Sequence, residues 1–195
     1  MKEIDAVNIC LTMGIGVDEV SSIGEGSEET ARVTAILRRT RLNFLASGWP
    51  FNTWDRELVR DNSNEVKLPK SWLVVYFPVG SNLWRKDDKV FDKVRLTTVL
   101  ESDPGIVPVV HDVDFDELPH TAANAIAYQA AVDFSASMLG VTDQLMFVRD
   151  QAHKYRRQLR LEFPAQLTYS RSGPTAAGVK PPGRTSHYYP CPCSY

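Results

Sequence analysis

The hydrophobic positions at the N-terminal end of the chain recur at helical spacing. Asp5 is placed to cap a short helix, which Gly14 and Gly16 end. A longer helix follows Ser27, a favourable N-cap residue, and Gly48 ends it. The buried face of this second helix is predicted to consist of Val33, Ile36, Leu37, Phe44 and Leu45. The pattern therefore predicts two helices in the first quarter of the chain.

Residues 49–115 change to a period of about two, which is typical of strands. Five short β-rich runs are separated by Pro, Gly, Asn and Asp: VKLP, WLVVYF, NLWRKDDKVF, VRLTTVL and IVPVVHDVDF. The third run predicts a hairpin that turns near Asp87 and Asp88. Because proline cannot donate a ladder hydrogen bond, the prolines of this region favour edge strands over a large central sheet. They are Pro78, Pro104 and Pro108.

Helical spacing returns in the last third of the chain. A third helix is predicted to begin at Leu118, with Pro119 at the first helical position, where the missing N–H is tolerated. Its face is crowded with small residues that let another helix approach closely: Ala122, Ala123, Ala127, Ala130 and Ala131. Thr142 or Asp143 caps a fourth helix, which Pro164 ends. The core stripe of that helix is predicted at Leu145, Val148, Ala152, Tyr155 and Leu159.

The predicted fold is α+β and mainly α, a helical bundle with a strand-rich insertion at about residues 49–115. Composition separates a first domain, residues 1–163, from an extended C-terminal tail, residues 164–195. The tail holds six of the 12 prolines, four of the seven tyrosines and no acid. Its charge is +3, so residues 1–163 carry −5 of the total of −2. This composition predicts that the tail is disordered in the free subunit.

The length, hydrophobic content and cysteine count of the chain indicate which broad class of protein it belongs to. A chain of 195 residues that is 43% hydrophobic fits one globular domain. No run approaches ~18 consecutive apolar residues, and the start MKEIDAVNICL has no basic n-region, so neither a membrane span nor a secretory signal is expected. Cys10, Cys191 and Cys193 do not make a disulfide framework, which favours synthesis in reducing cytoplasm.

Candidate catalytic and metal-binding residues are few. The segment DVDFDE places Asp112, Asp114 and Asp116 on one face of a predicted strand. A calcium loop needs Gly and Glu at its sixth and twelfth positions, where this chain has Glu117 and Ala123. Asp114 and Glu117 could be assigned as the two carboxylates of a glycosidase, but nothing in the sequence indicates the cleft that such an enzyme needs. A solvated strand end that leads into a helix is the favoured interpretation.

The tail segment HYYPCPC offers at most three zinc ligands. Free thiols, or a ligand set that another chain completes, are the alternatives for His187, Cys191 and Cys193. The sequence contains no nucleophile elbow, phosphate loop or dinucleotide fingerprint. The scattered histidines, His111, His120, His153 and His187, are expected at the surface or in structural roles. We therefore predict no catalytic, cofactor-binding or metal site.

Two helix segments are basic, the first with Arg38, Arg39 and Arg41 and the second with Lys154, Arg156, Arg157 and Arg160. DNA binding uses such stripes, but the acidic body favours solvated faces or ion pairs between subunits. Lateral subunit contacts are predicted through the alanine-rich third helix and through Arg38, Arg39, Arg156 and Arg157. Contacts of the tail with a portal or an adjacent subunit are predicted for Tyr169, Arg171, Lys180, Arg184, Tyr188, Tyr189 and Tyr195.

The segment ASGWPFN places two large aromatic residues where the second helix stops. Gly48 ends the helix and Pro50 forces an extended chain, so Trp49 and Phe51 can anchor the strand-rich insertion against the bundle. Each aromatic side chain can bury ~150–250 Å². The residues predicted to be architectural are Gly48, Trp49, Phe51, Asn52 and Pro119.

Five segments of the chain, taken in order, resemble the podovirus tail tubular protein A family. They are AVNICLTMGIGVDEVSSI, ASGWPFN, VKLP, VGSNLWRKDDKVF and DVDFDELPHTAANAIAYQAAVDF. That family has an A-[IV]-N…IG…V-x-S-[IL] opening, a G-W-x-F-N corner, an x-L-P strand end, an L-Y-D-like hairpin and a D-[FY]-x-x-L-P helix start. The matching positions lie within about residues 5–163 and are 6–8, 14, 20–23, 48–52, 68–69, 83–84 and 114–119. The hairpin departs from the family at Arg85, and the tail carries no family motif.

The resemblance implies a virion structural protein without enzymatic activity, the head-to-tail adaptor. Such proteins form a ring, usually of twelve copies, between the portal protein and the tail nozzle protein, and genomic DNA passes through the lumen without specific binding. No cofactor and no membrane are implied. Two alternatives come from other classes: a tail-associated cell-wall or polysaccharide hydrolase, and a DNA-binding regulator.

Overall fold

A computed structural model describes residues 1–23, 27–138 and 143–163. The helices in these ranges are α1 (Glu3–Ile15), α2 (Glu28–Leu45), α3 (His120–Met138) and α4 (Asp143–Glu162). The strands are β1 (Thr53–Leu58), β2 (Trp72–Val75), β3 (Leu83–Lys86), β4 (Lys89–Asp92) and β5 (Gly105–His111). All five strands fall between α2 and α3, which confirms the predicted α+β, mainly α fold class.

Helix α3 lies at the centre of the bundle and packs against α1, α2 and α4. Five of its alanines are fully buried, so the neighbouring helices approach its backbone closely; they are Ala122, Ala123, Ala127, Ala130 and Ala131. Gly14 of α1 contributes to the same contact, because a Cβ there would stand 3.4 Å from the Phe134 ring. Among the helices that the structure describes, none is both long and apolar enough to cross a membrane.

The helix ends differ from the predicted ones in three places. Lys2 is the N-cap of α1, and the Asp5 carboxylate accepts a hydrogen bond from the Lys2 N–H at 2.9 Å. Helix α1 continues through Gly14 and ends at Ile15, and its C-cap is Gly16, whose φ of 71° suits glycine. Pro119 precedes α3, and its carbonyl accepts the N–H of Ala123 at 2.9 Å. Asp5, Gly14 and Pro119 thus lie one to three positions from their predicted roles, whereas Ser27 is the N-cap of α2 and Gly16 the C-cap of α1, as predicted.

The strands form a three-stranded antiparallel sheet in the order β1-β5-β2 and a separate hairpin of β3 and β4. The hairpin turns at Asp87, which has a φ of 55°, as predicted. The prediction that Pro108 marks an edge is wrong, because β5 is the central strand. The carbonyl of Pro108 accepts the N–H of Tyr76 at 2.9 Å, beyond the end of β2. Pro108 has no N–H to donate, and it lies where the hydrogen-bond ladder with β2 stops, so the sheet tolerates a proline there.

Two predicted strands are absent from the described sheets, and one strand was not predicted. VKLP makes only an isolated bridge through Lys67, although Val66 and Leu68 are buried. VRLTTVL forms a turn, because the Asp92 carboxylate accepts the N–H groups of residues 94 and 95. The unpredicted strand is β1, whose sequence TWDREL is mostly exposed and so shows no apolar run.

The insertion has its own small core on one face of the three-stranded sheet. Its buried residues are Leu58, Val66, Leu68, Val90, Leu100, Val107 and Val109. Arg85 joins the hairpin to the sheet, since its guanidinium donates to the carbonyls of Trp72 and Leu73 in β2. The chain thus contains a helical core and a second, smaller core in the insertion.

Candidate interaction surfaces

The aromatic corner after α2 is a stack that reaches from the bundle to the insertion. The Trp49 ring lies 5.0 Å from the Phe44 ring and 6.3 Å from the Phe51 ring, nearly parallel to both. The Trp49 indole N–H donates to the Phe44 carbonyl at 3.0 Å. The Phe51 ring in turn lies 5.7 Å from Phe163, just after α4. The corner therefore contacts the end of α2 and the end of α4.

Gly48 and Asn52 hold the two sides of this corner together. Gly48 has a φ of 74°, and a Cβ there would stand 3.1 Å from the Tyr76 hydroxyl. The Asn52 amide is fully buried and donates to the carbonyls of Leu45 and His111 at 3.1 and 3.0 Å. Its oxygen accepts the Trp49 N–H at 2.8 Å. Asn52 thus joins the last residues of α2 to the last residue of β5.

The alanine-rich face of α3 is not available for contacts between subunits. All five alanines named above are fully buried inside the chain, against the other helices. The alanine face itself therefore cannot make lateral subunit contacts, while such contacts through the rest of the helix and through the predicted arginines stay a prediction. Small residues at helical spacing indicate close helix packing, but their spacing does not say whether the partner belongs to the same chain.

The outer face of α4 is strongly basic. At 3.6 residues per turn, the side chains of Arg149, Arg156, Arg157 and Arg160 fall within about a third of the helix circumference. We call these four residues the basic face of α4. All are exposed, and none forms an ion pair with another residue in the part of the chain that the structure describes. Arg149 is an addition to the predicted set, and its spacing of seven from Arg156 was a readable signal.

The arginines of α2 behave differently from the basic face of α4. Arg38 lies 3.6 Å from the Glu3 carboxylate, and Arg39 is exposed. Arg41 is mostly buried and pairs with Asp112 at 3.2 Å, with Asp114 3.8 Å away. Arg41 thus ties α2 to the segment between β5 and α3. The two basic segments thus lie on two different helices, α2 and α4, which each pack on α3.

The acidic segment after β5 has structural contacts. The prediction that Asp112, Asp114 and Asp116 share one face of a strand is wrong, because β5 ends at His111. Asp116 accepts the Glu3 N–H at 3.0 Å, and Asp114 precedes the 3-10 turn Phe115–Glu117. In the described ranges, no group of three or more His, Cys, Asp or Glu side chains is placed to hold a metal ion.

Cys10 and His111 are two buried side chains whose pKa values are shifted by burial. Burial and the nearby charge of Asp133 raise the pKa of the Cys10 thiol to about 12, so it stays protonated and is a poor nucleophile. Burial and the Arg56 charge lower the pKa of His111, whose ring lies 4.4 Å from Trp54. Both side chains pack inside the fold, which fits structural roles.

The β3–β4 hairpin exposes aromatic and basic side chains that the sequence did not single out as a site. The Lys93 ammonium lies 4.3 Å from the exposed Trp84 ring, and Lys86 lies 4.9 Å from the Phe91 ring. The nearby turn exposes Leu96, which has a φ of 55°. Alternating aromatic and basic residues in LWRKDDKVFDK were the signal in the sequence.

The predicted contact residues of the tail lie outside the described residues. They are Tyr169, Arg171, Lys180, Arg184, Tyr188, Tyr189 and Tyr195. The candidate ligands His187, Cys191 and Cys193 also lie outside the described residues.

The sequence is similar to known proteins over most of its length. The sequence model of the tail tubular protein family matches residues 4–169. The tail tubular protein A of Klebsiella phage KP34 is 25% identical over 173 residues, which cover 88% of this chain and 92% of that protein.

Proposed function

Because the chain belongs to the tail tubular protein family, a family of structural components of phage tails, we propose that it forms the head-to-tail adaptor ring. Family membership agrees with the resemblance found in the motifs. In the proposed assembly, twelve copies form a ring that joins the portal protein to the tail nozzle protein. Genomic DNA passes through the lumen. The observation that carries the proposal is the family match over residues 4–169, which span almost all of the described chain.

The basic face of α4 supports contacts between subunits. Four exposed arginines without carboxylate partners among the described residues stand on a body whose net charge is −5. An acidic surface of a neighbouring subunit or of the portal would neutralise them. Surface ion pairs contribute only ~0–1 kcal/mol each, so apolar contacts must supply most of the affinity. Exposed apolar residues at the α1 and α4 ends of the bundle, Met13, Val17, Met146 and Phe147, are available for this.

The same charge distribution supports a DNA-passing channel. A ring that lets DNA through should not hold it tightly, and a net acidic body disfavours strong phosphate binding. No observation on the described residues favours the hydrolase alternative, because Asp114 is an exposed residue that precedes a 3-10 turn. The DNA-binding regulator is tested by the filter measurement below, since its basic face would bind DNA instead of protein.

Negative-stain imaging and mass photometry of the full chain, alone and with the portal protein of the same phage, test the proposal. We expect twelve-fold rings that dock on the portal. A variant with Arg156→Glu and Arg157→Glu should weaken these rings at moderate salt. The matched control reverses Lys67 and Lys70, two cations of the insertion.

Three outcomes would count against the proposal. A chain that forms no ring with or without the portal is not the adaptor. An unchanged ring yield in the arginine variant removes α4 from the interface. Sub-micromolar, sequence-specific retention of DNA on a filter at physiological salt favours the regulator.

A further inference from the structure

The β3–β4 hairpin and the three-stranded sheet pack against each other in the insertion. The side chains that meet at the small core are Leu83 and Val90 of the hairpin and Leu58, Val107 and Val109 of the sheet. Since successive side chains of a strand point to opposite faces, the alternate residues of both elements point away from this core. The hairpin and the sheet therefore each present one outward side, and these two sides lie on opposite surfaces of the insertion.

The outward side of the hairpin is aromatic and basic. Trp84 and Phe91 are register partners that alternate with the core residues of their strands, so both lie on this side. The Lys93 ammonium lies 4.3 Å from the centre of the Trp84 ring, which is 57% exposed, and Lys86 lies 4.9 Å from the Phe91 ring. We call these four residues the hairpin face. Within the described ranges, neither lysine forms an ion pair.

The outward side of the sheet is apolar and acidic. Asp55 and Glu57 of β1 are exposed, and their register partners on β5 are Pro108 and Ile106. Ile106 is 68% exposed, although it belongs to the central strand. We call these four residues the sheet face. Neither carboxylate has an ion-pair partner in the part of the chain that the structure describes.

The neighbouring charges of opposite sign lie outside both faces. Arg56 separates the two acids of the sheet face in sequence, but its register partner Val107 belongs to the small core. Arg56 therefore lies on the inner side of β1, where its guanidinium is 5.8 Å from the centre of the Trp54 ring. Asp87 and Asp88 form the turn beyond the last residue pair of the hairpin. The hairpin face thus keeps a basic character, and the sheet face keeps an acidic one.

We propose that the hairpin face of one subunit packs against the sheet face of a second copy of this chain, its neighbour in the ring. This inference rests on the proposed adaptor ring and assigns it a lateral contact in the insertion. Because the two faces lie on opposite surfaces, the contact repeats head to tail and can close into a ring. It covers the exposed Trp84 and Ile106 side chains and places two lysines opposite two carboxylates. These charges select the partner face, since complementary charge contributes more to specificity than to affinity.

Charge reversal in the full chain tests this contact. The hairpin variant carries Lys86→Glu and Lys93→Glu, and the sheet variant carries Asp55→Lys and Glu57→Lys. All four side chains are exposed, so both variants should keep the circular dichroism and the urea unfolding of the natural chain. Each variant alone should raise the concentration at which half of the chain is assembled by about tenfold or more, because like charges then meet across the interface. Mass photometry measures this concentration.

Mixing the two variants makes the test specific. In an equal mixture, the hairpin face of each variant meets an oppositely charged sheet face of the other, so rings of alternating subunits should return. One chain that carries all four substitutions should also form rings. The matched control reverses Lys67 and Lys70, which changes the net charge as much as the hairpin variant does. This control should form rings alone and should not recruit a fluorescently labelled sheet variant into them.

The outcomes separate this contact from the proposed function. Unchanged assembly of either variant, or no recovery of rings in the mixture, would overturn the contact and leave the adaptor ring standing. Variants that form rings but no longer bind the portal or the tail nozzle protein would show that those proteins cover the two faces, which also overturns it. If the natural chain forms no ring with or without the portal, the proposed function fails, and this inference fails with it.

Discussion

The core of the helical bundle contains 24 buried apolar residues of the described chain, whereas the core of the insertion contains seven. In the bundle, α3 is buried along most of its length, and alanines bring the helices close together. In the insertion, short strands leave many apolar side chains exposed, among them Val59, Val79, Trp84, Val94 and Leu96. The comparison shows that close apolar packing orders the bundle, while the insertion must be ordered largely by other interactions.

Those other interactions are specific polar contacts in the loops. The Arg60 side chain donates to the Asp103 carboxylate at 2.9 Å and to the carbonyls of Leu100 and Glu101 at 3.1 and 2.7 Å. Glu65 accepts hydrogen bonds from Lys89, at 2.6 Å, and from Thr98. Both networks hold long loops beside the small core. Stability in the insertion therefore depends on a few polar side chains, and stability in the bundle depends on buried volume.

The largest effect is expected in the bundle core. Phe134 is fully buried against Gly14, so Phe134→Ala leaves a cavity and should lower the free energy of unfolding by about 3–5 kcal/mol. Urea unfolding followed by helical circular dichroism measures this loss. The control is Phe147→Ala on α4, whose side chain is 53% exposed and should change stability by less than ~0.5 kcal/mol. Equal losses in the two variants would contradict the difference in burial.

The second effect tests the joint between the two regions. Asn52→Ala removes the donor that serves the carbonyls of Leu45 and His111, and each buried group left unpaired costs about 1–3 kcal/mol. We expect lower stability in urea and an altered tryptophan fluorescence of the native state, because Trp49 also loses its contact with Asn52. The control Asn62→Ala changes an exposed amide in a loop of the insertion. If Asn52→Ala is as stable as the natural chain, Asn52 does not hold the joint.

The smallest of the three effects tests polar order in the insertion. Arg60→Ala should lower the free energy of unfolding by about 0.5–1.5 kcal/mol, because the carbonyls of Leu100 and Glu101 lose their donor but are exposed enough for water to replace it. Arg60→Lys should not restore it, since an ammonium cannot reproduce the planar arrangement of guanidinium donors. Arg95→Ala, which breaks more exposed ion pairs with Asp92 and Glu101, should cost less. Full rescue by lysine would show that charge alone is sufficient.

The sequence by itself determined the helices, the fold class and the family. Long amphipathic or alanine-rich segments, with Ser27 before α2 and Gly48 after it, are local signals, since the spacing of side chains on a helix depends only on the helix itself. The hairpin turn at Asp87 was readable for the same reason. The ordered motifs from residue 6 to residue 119 were sufficient to indicate the family, although none of them identifies a contact partner.

Only the tertiary structure decided which surfaces are buried and how the strands pair. The position of Pro108 in a central strand, the existence of β1 and the burial of the alanine face of α3 all depend on partners distant in sequence. Strand pairing satisfies the backbone between segments far apart in the chain, so a mostly exposed segment such as TWDREL becomes a strand because β5 lies beside it. Likewise, helical spacing reveals a face suited to close packing, but only the folded chain shows that its own helices cover that face.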